Sequence, residues 1–341
     1  MHVLLSGMAG FIGMHLAQAL VARGHQVTGF DNLSSITYEA SLKEDRLRAL
    51  GFKDIPAYGQ QVQAGALNFI KLDLCDKNAL TDLVQAAPYD VVVNLAALAG
   101  VRLSTLKPDE YIHSNADGFF NLLEALRAVD ESKRLRLIFA SSSSVYGDSN
   151  KVPFAEDDDS IAPVSVYAAT KRINEIIAAT YALRFGLDAT ALRFFTVYGP
   201  WGRPDMAPFI FTRAMLAGQP IRLFNEGKLR RDFTYIDDIV TGLVKIVEGS
   251  GNRPRNPVQP YAVYNIGNGH PIELFDFVHE LEMAAGVKAQ LILEPMQPGD
   301  VHQTYADVRR LAQDYGFTPQ TSLHDGIGKF FAWYRQYYGQ K

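Results

Sequence analysis

The sequence predicts an α/β fold in which a doubly wound parallel sheet is followed by a smaller mixed α/β region. Three observations predict this fold. Short apolar strands alternate with amphipathic helices up to about residue 140, glycines cluster after the first strand, and polar side chains follow several strands. The chain has 341 residues, about twice the length of an ordinary domain. One large domain with an appendage and two domains both agree with this length.

The first strand, at residues 3–5, ends at a turn that contains Gly7, Gly10 and Gly13, and helical spacing of apolar residues follows it. Gly7 permits a tight turn, Gly10 lets the backbone approach a pyrophosphate, and Gly13 lets the helix pack closely on the strand. The N-terminus of that helix favours an anion. This order of strand, turn and helix favours a Rossmann-type dinucleotide site over a loop with surplus glycines.

The second strand, at residues 26–30, ends in an acid. Asp31 follows Gly7 by 24 residues. A carboxylate at this place accepts hydrogen bonds from the ribose hydroxyls of adenosine and repels a 2′-phosphate, so the sequence favours NAD over NADP. Ser34 and Ser35 are compatible with a phosphate, which keeps NADP open as the alternative.

The following segments continue the alternation of strands and helices. The pattern predicts helices at 41–50 and 111–129, strands at 67–73, 90–95 and 135–140, and an irregular surface insertion at 51–65. Asp73 ends one of the strands and is either a contact for the adenine or an ordinary turn acid. Small residues at 96–100 permit a cofactor to pass close to the backbone.

Tyr167 and Lys171 lie four residues apart in a helix predicted at 166–183. This spacing places both side chains on one helical face, where an ammonium lowers the pKa of a phenol from about 10. Such a tyrosine can act as a general base. Taken alone, the pair is better explained as a chance pair of helical neighbours. The serines at 141–144 favour catalysis, because hydroxyls at the carboxyl end of a parallel strand face the ligand crevice.

The composition argues against several classes of protein. A net charge of -4 disfavours nucleic acid as a partner. The sequence shows neither an apolar run of about 18 residues nor a signal-peptide pattern, so a cytoplasmic protein without membrane contact is expected. Cys75 is the only cysteine, and the eight histidines lack metal-ligand spacing, so no metal is expected.

The C-terminal third predicts a smaller mixed region over the crevice. The pattern predicts strands at 221–224 and 264–267, a flexible surface loop at 249–260, and helices at 209–217, 239–247, 274–285 and 330–338. Asp237 and Asp238 precede one of these helices, and one of the two carboxylates is expected to cap it.

Taken together, these motifs resemble the extended short-chain dehydrogenase/reductase family, which includes sugar-nucleotide epimerases and dehydratases. The matching segments keep the family order over nearly the whole chain: the glycine turn, Asp31-Asn32, residues 94–97, 141–147, the Tyr167/Lys171 pair and 231–238. Residues 192–207 and 295–301 are most similar to the UDP-glucuronate 4-epimerases.

The resemblance implies an isomerase that converts UDP-glucuronate to UDP-galacturonate with tightly bound NAD. The sugar is oxidised at C4, the 4-keto intermediate rotates, and the hydride returns to its other face without decarboxylation. Tyr167 would take the proton of the 4-hydroxyl, Ser142 would hold that hydroxyl, and Lys171 would bridge the nicotinamide ribose and lower the tyrosine pKa.

The resemblance also assigns contacts to individual residues. The implied cofactor contacts are Gly7, Gly10, Phe11, Ile12, Gly13, Asp31, Asn32, Asp73, Leu74, Leu95, Ala96, Ala97, Asn115, Ser141, Tyr167, Lys171 and Phe194. The implied substrate contacts are Ser142, Ser143, Ser144, Tyr167, Thr196, Arg203, Phe224, Arg231, Asp300 and Arg309.

Several substrate contacts have stated roles or alternatives. Ser144, Thr196 and Arg203 are expected to hold the carboxylate, although Arg203 could instead pair with Asp205. Arg231 is expected at the diphosphate, Phe224 at the uridine or in ordinary core, and Asp300 at a ribose hydroxyl. Arg309 would suit the diphosphate only if its segment faces the crevice.

The resemblance further implies a division of the chain and an assembly. Residues 1–190 would mainly form the NAD-binding domain and 191–341 the nucleotide-sugar-binding domain, with about 233–248 crossing back. The helices at 111–129 and 166–183 would form a four-helix bundle in a homodimer.

Three other functions stay open: a 4-epimerase for UDP-galactose or a UDP-N-acetylhexosamine or its uronate, a UDP-glucuronate decarboxylase, and a non-catalytic NAD-binding regulatory protein. Ser143 and Ser144 replace the acids typical of dehydratases and decarboxylases, and Thr196 replaces the Asn typical of UDP-galactose epimerases. Intact Tyr167 and Lys171 disfavour the regulatory protein.

Overall fold

A computed structural model of the chain describes residues 1–129, 135–158, 161–249, 260–297 and 300–339. The surface loop predicted at 249–260 lies outside the described residues except for its two ends, as do two residues of the segment at 295–301. None of the described helices is long and apolar enough to cross a membrane.

An eight-stranded sheet forms the centre of the molecule. Its strands are β1 His2–Ser6, β2 Gln26–Asp31, β3 Gln61–Ala64, β4 Leu67–Lys71, β5 Val91–Asn94, β6 Arg136–Ser142, β7 Ala189–Phe194 and β11 Tyr261–Ile266. The spatial order is β11-β7-β6-β5-β1-β2-β4-β3, and every neighbouring pair is parallel except β3 with β4. The predicted doubly wound parallel sheet is thereby confirmed, but the strand predicted at 264–267 in the smaller region belongs to this sheet as β11, beside β7.

The edge strand β3 corrects one prediction. Residues 51–65 were expected to be irregular, but 61–64 pair antiparallel with β4, where Val62 lies opposite Phe69. The short sequence Gln-Val-Gln-Ala is partly exposed and too polar to predict a strand by itself. It is a strand because it pairs with β4.

Helices cover both faces of the sheet. The helices are α1 Phe11–Ala22, α2 Ala40–Ala49, α3 Lys77–Gln85, α4 Val101–Leu106, α5 Pro108–Tyr111, α6 Gly118–Arg127, α7 Val166–Phe185, α8 Ala207–Leu216, α9 Ile236–Glu248, α10 Leu274–Ala285, α11 Arg309–Tyr315 and α12 Leu323–Gly339. Successive residues of β1 enter different cores: Val3 and Leu5 pack with residues of α1 and α9, and Leu4 packs with α3 and α6. Strands buried on both faces therefore read as continuous apolar runs.

The helix predicted at 111–129 is interrupted. Residues Ile112–Asp117 form a π-helical segment between α5 and α6. Its buried Asn115 exchanges hydrogen bonds with the backbone of Leu98, which lies in the segment after β5. The π-helical segment thereby places a polar side chain against the crevice, a common use of this irregularity.

The smaller region contains a three-stranded and a two-stranded sheet. Its strands are β8 Thr196–Tyr198, β9 Ile221–Leu223, β10 Arg230–Tyr235, β12 Pro271–Glu273 and β13 Leu291–Leu293. Asp237 and Asp238 do not cap α9, because the helix already begins at Ile236 and both acids lie in its first turn. Asp238 instead accepts hydrogen bonds from the backbone N–H groups of Gln320 and Thr321.

Candidate active site

Tyr167 and Lys171 lie in the first two turns of α7, near the carboxyl end of β6. The helix begins after Ser165, whose hydroxyl accepts a hydrogen bond from the Ala168 N–H at 3.1 Å. The buried Lys171 Nζ lies 5.9 Å from the centre of the Tyr167 ring and donates to the Ala140 carbonyl at 2.9 Å. The predicted pair thus shares one helical face.

The surroundings of Tyr167 shift its pKa in opposite directions. On balance the pKa of Tyr167 is raised, because burial raises it more than a hydrogen bond with Ser142 and the nearby charge of Arg203 lower it. Lys171 Nζ donates to the Ala140 carbonyl, and its effect on the pKa of Tyr167 stays a prediction. Burial lowers the pKa of Lys171 itself to about 8. The charge of Arg203 favours the ionised phenol.

The serine segment after β6 divides its side chains between two surroundings. Ser142 Oγ accepts hydrogen bonds from the Ser144 N–H at 3.2 Å and the Ser144 hydroxyl at 2.9 Å, and Ser143 and Ser144 begin a 3-10 turn. The neighbouring Ser141 faces the other way, because strand side chains alternate, and its hydroxyl donates to the buried Glu175 at 2.6 Å. The Ser141 side chain is thus engaged by Glu175, and a contact of Ser141 with the cofactor stays a prediction.

The glycine turn after β1 is required by close backbone packing. A Cβ on Gly7, which has a φ of 70°, would lie 2.8 Å from the Ala96 nitrogen. A Cβ on Gly13 would lie 2.1 Å from the Gly7 carbonyl oxygen. Gly10 precedes α1 and offers no side-chain cap, so Phe11 and Ile12 open the helix with backbone N–H groups available to an anion.

Two acids stand at neighbouring strand ends. Asp31 ends β2 and accepts the Leu33 N–H at 2.8 Å, while Lys43 Nζ approaches the same carboxylate oxygen at 3.5 Å. Asp73 follows β4 and accepts hydrogen bonds from the Asn32 amide and the Cys75 N–H, both at 2.8 Å. These contacts agree with a turn role for Asp73, the alternative considered for it, and the buried Leu74 lies beside it.

The segment that begins with Leu95, Ala96 and Ala97 is held in place by hydrogen bonds with Asn115 and Tyr111. Asn115 donates to the Thr170 hydroxyl at 3.2 Å, in addition to its bonds with Leu98. Tyr111, which sequence reasoning missed, donates to the Ala99 carbonyl at 3.0 Å, and its ring meets Tyr167 edge-on at 6.3 Å. Burial raises the pKa of Tyr111 to about 12. Its only sequence signal is an aromatic residue at the start of a helix.

Arg203 approaches Tyr167 from the segment after β8. Its Nη2 donates to the Ala99 carbonyl at 3.1 Å, and its Nε donates to Asp205 at 3.0 Å. Of the two alternatives considered for Arg203, the structure shows the pairing with Asp205, and the contact with the sugar carboxylate stays a prediction. Phe194 lies opposite Ser142 in the sheet register, and Thr196 begins β8 two residues later.

Two arginines and a phenylalanine form a second group of side chains. Arg102 forms an ion pair with Asp300 at 3.0 Å, and its guanidinium lies 4.6 Å from the centre of the Phe224 ring. Burial and the charge of Arg102 lower the pKa of Arg231, while Asp300 raises it. Sequence reasoning missed Arg102, although an arginine directly after the small-residue segment was a usable signal. Two neighbouring cations suit a diphosphate.

Arg309 does not join this group. Its side chain is 80% exposed and forms a forked ion pair with Asp307 two residues earlier. The segment 307–309 therefore does not direct Arg309 at the crevice, and the condition attached to its predicted role is not met. Among the described residues, no three His, Cys, Asp or Glu side chains are grouped as metal ligands would be.

This fold and these residues define a nucleotide-sugar-modifying member of the short-chain dehydrogenase/reductase class. Residues 3–267 match the NAD dependent epimerase/dehydratase family, and the chain belongs to this family. It is 40% identical to the probable UDP-glucuronate 4-epimerase of Rhizobium meliloti, covering 99% of this chain and 98% of the relative. It is 42% identical to UDP-glucuronate 4-epimerase 2 of Arabidopsis thaliana, covering 99% of this chain and 76% of the relative.

Solved structures agree with the sequence relatives. The UDP-glucuronic acid 4-epimerase of Bacillus cereus, in complex with UDP-glucuronic acid and NAD, superposes with a TM-score of 0.86. It is 32% identical, covering 98% of this chain and 99% of that one. A likeness of this extent confirms the predicted family.

Proposed function

We propose that this chain is an NAD-dependent isomerase that converts UDP-glucuronate to UDP-galacturonate by inverting C4 of the sugar. The observation that carries the proposal is the placing of Tyr167 and Lys171 on one face of α7, with the Lys171 Nζ 5.9 Å from the centre of the Tyr167 ring. Ser142 and Arg203 lie close enough to Tyr167 to lower its pKa against the effect of burial. The relatives named for UDP-glucuronate 4-epimerisation support the choice of substrate.

Tyr167 acts as the base for the 4-hydroxyl of the sugar. Ser142 orients this hydroxyl together with Tyr167, and the Ser144 N–H and hydroxyl in turn fix Ser142. The charge of Arg203 favours the phenolate that takes the proton. When the face of the sugar is exchanged, the same phenol returns the proton to the new 4-hydroxyl.

The sugar carboxylate must be held while C4 is a ketone. Such a ketone lies β to the carboxylate, and carbon dioxide leaves easily when the bond to be broken aligns with the carbonyl π system. Ser144 and Thr196 offer hydroxyls, and Arg203 offers a fixed cation, to keep that bond out of alignment. Because residue 144 is a serine, no acidic side chain lies beside the intermediate at this position.

The residues at the carboxyl edge of the sheet fit NAD. Gly7 and Gly13 stand where a Cβ would meet backbone, α1 begins without a side-chain cap, and Asp31 ends β2. When bound, NAD supplies the group that takes up hydrogen at C4 and gives it back. The glycine turn would hold the diphosphate, Asp31 the adenosine ribose, and Lys171 the nicotinamide ribose.

The UDP portion belongs to the group around Arg102. Arg102 and Arg231 would share the diphosphate charge, and Phe224 would pack near the uridine. Asp300 would orient Arg102 and hold a ribose hydroxyl. This assignment adds Arg102 to the expected contacts and leaves Arg309 out.

We further propose the division of the chain given by the resemblance: 1–190 mainly binds NAD, 191–341 mainly binds the nucleotide sugar, and about 233–248 crosses back. The packing of α9 with α1 in one core supports the crossing. A homodimer through α6 and α7 is supported by apolar side chains left exposed on them, including Phe120, Ile176 and Leu183. A cytoplasmic location is part of the same proposal.

The test is incubation of the purified protein with UDP-glucuronate. We expect UDP-galacturonate without carbon dioxide, and NAD released when the protein is denatured. A UDP-pentose with carbon dioxide would instead show a decarboxylase, and turnover restricted to UDP-galactose or a UDP-N-acetylhexosamine would show a different 4-epimerase. Released NAD without turnover of any of these would show a binding protein.

A further inference from the structure

Arg46 is a fully buried cation that makes its hydrogen bonds to neutral acceptors. It is 0% exposed, and all five of its N–H groups are used. Nε and Nη2 donate to the Trp201 carbonyl at 3.0 and 2.7 Å, and Nη2 also donates to the Gly202 carbonyl at 3.2 Å. Nη1 donates to the Ala9 carbonyl at 3.1 Å and the Tyr38 hydroxyl at 2.7 Å. Burying a charge on such acceptors is costly, which indicates a specific use for it.

The main acceptor of Arg46 has an unusual backbone conformation. Trp201 has a φ of 61°, in the left-handed region that a residue with a bulky side chain rarely adopts. Two donors of Arg46 converge on its carbonyl and oppose rotation of that peptide. The Trp201 ring also packs on Trp333 and Tyr337, and Tyr337 donates to Asp45, the neighbour of Arg46 in α2.

The held peptides lead directly into Arg203. Gly202 lies between Trp201 and Arg203 and admits no side chain, because a Cβ there would lie 2.7 Å from the Phe209 ring. From this fixed start, the Arg203 guanidinium reaches the Ala99 carbonyl and acts on Tyr167. Arg46 also holds Ala9, which lies in the glycine turn. A single side chain therefore joins the cofactor turn to the loop that carries the cation.

We propose that Arg46 is a positioning residue that holds Trp201 in its left-handed conformation and so directs Arg203 at the sugar carboxylate. Arg46 thereby sets the preference for a uronate over a neutral hexose. This role rests on the proposed function, because it requires a substrate with a carboxylate at C6.

The test is Arg46→Lys, which keeps the charge and loses the forked geometry. In the holoenzyme, we expect kcat/KM for UDP-glucuronate to fall about 10- to 100-fold, as for a misplaced catalytic group. The Ki of UDP-glucose, the neutral probe, should change less than about threefold, since the diphosphate contacts are unaltered. Arg48→Lys is the matched control, because Arg48 lies on the same helix, is half exposed and forms ion pairs with its helical neighbours Glu44 and Asp45. The control should match the wild type.

If the role of Arg46 were purely structural, Arg46→Lys would impair UDP-glucuronate turnover and UDP-glucose binding equally, or would lower the amount of bound NAD. Either result would overturn the inference. If Arg46→Lys does not fold, Tyr38→Phe is the second variant, because it removes one acceptor of Arg46 and keeps the ring. We then expect kcat/KM for UDP-glucuronate to fall while the Ki of UDP-glucose stays nearly constant. An unchanged ratio of these two quantities counts against the role. Wild-type protein that fails to turn over UDP-glucuronate would overturn the proposed function itself, before any substitution is made.

Discussion

Among single residues, Tyr167 is the proposed base, and its hydroxyl can be removed with little change of shape. In Tyr167→Phe the ring still meets Tyr111 edge-on, while the base for the 4-hydroxyl is lost. We expect kcat to fall about 10²- to 10⁴-fold, the range typical of general-base catalysis. Bound NAD and the thermal unfolding midpoint should stay near the wild-type values. Turnover is measured by chromatography of the two UDP-uronates.

Tyr181→Phe is the control for this substitution. Tyr181 lies on the same helix, and its hydroxyl bonds to Glu124, away from the serine segment. Because this hydroxyl is directed at Glu124 and not at the serine segment, its loss should leave kcat unchanged within about twofold, even if the loss of one hydrogen bond lowers stability. Near-normal turnover by Tyr167→Phe would remove Tyr167 from its role as base.

Lys171 makes a prediction about pH. Burial lowers its pKa to about 8 from the ordinary value of 10.5. Between these two values the unfolded chain binds more protons than the folded chain, so stability gains with rising pH. Relative to Lys171→Met, the free energy of unfolding of the wild type should rise by about 3 kcal/mol between pH 8 and 10.5. Urea unfolding of both proteins at several pH values measures this difference.

The Lys171 prediction concerns only the difference in unfolding free energy between the wild type and Lys171→Met, because the tyrosines with raised pKa values are present in both proteins. Below pH 8 the ammonium is charged in both states, and the difference should be constant. A difference that is flat between pH 8 and 10.5 would show that Lys171 is not held in a desolvating site.

At the scale of elements, a buried ion pair fixes α7 to the sheet. Glu175 of α7 accepts Arg193 Nε and Nη2 from β7 at 2.8 and 2.9 Å, and the Ser141 hydroxyl from β6 at 2.6 Å. Glu175→Met leaves the Arg193 charge buried without its partner, so we expect a loss of about 3–5 kcal/mol in the free energy of unfolding. Arg172→Met removes a partly exposed partner of the same carboxylate and should cost less than about 1 kcal/mol.

The same ion pair also has a catalytic consequence. Because Ser141 precedes Ser142 and Glu175 follows Lys171 on α7, the network sets the position of the serine segment relative to Tyr167. Chemical unfolding and kcat should therefore both respond to Glu175→Met. Equal stability of the Glu175 and Arg172 variants would contradict the account.

Elements differ in how far the sequence predicts them, for physical reasons. β1, β5 and the glycine turn are determined by local pattern, since burial on both faces and close backbone packing leave few residue types. β3 and the π-helical segment are determined by distant neighbours, β4 and Leu98, which no local pattern encodes. The site divides in the same way. Tyr167 and Lys171 are visible as a helical pair, whereas the role proposed for Arg46 depends on acceptors distant in sequence, above all the Trp201 carbonyl, 155 residues later.

At the scale of the whole molecule, the proposed homodimer would use the exposed faces of α6 and α7. Ile176 is 53% exposed and Leu183 is 69% exposed on α7, and Phe120 of α6 is also exposed. Apolar side chains grouped on neighbouring helices favour association. We expect the wild type to sediment as a dimer. Ile176→Glu with Leu183→Glu should give monomers at micromolar concentration, because the new charges would lose water without gaining partners.

Met283→Glu is the control for the interface, since Met283 is 55% exposed on α10 in the C-terminal region. It should remain dimeric. The Tyr167, Lys171 and glycine-turn positions all come from one chain, so the monomeric double variant should keep bound NAD. A double variant that still sediments as a dimer, or a wild type that sediments as a monomer, would place the interface elsewhere or remove it.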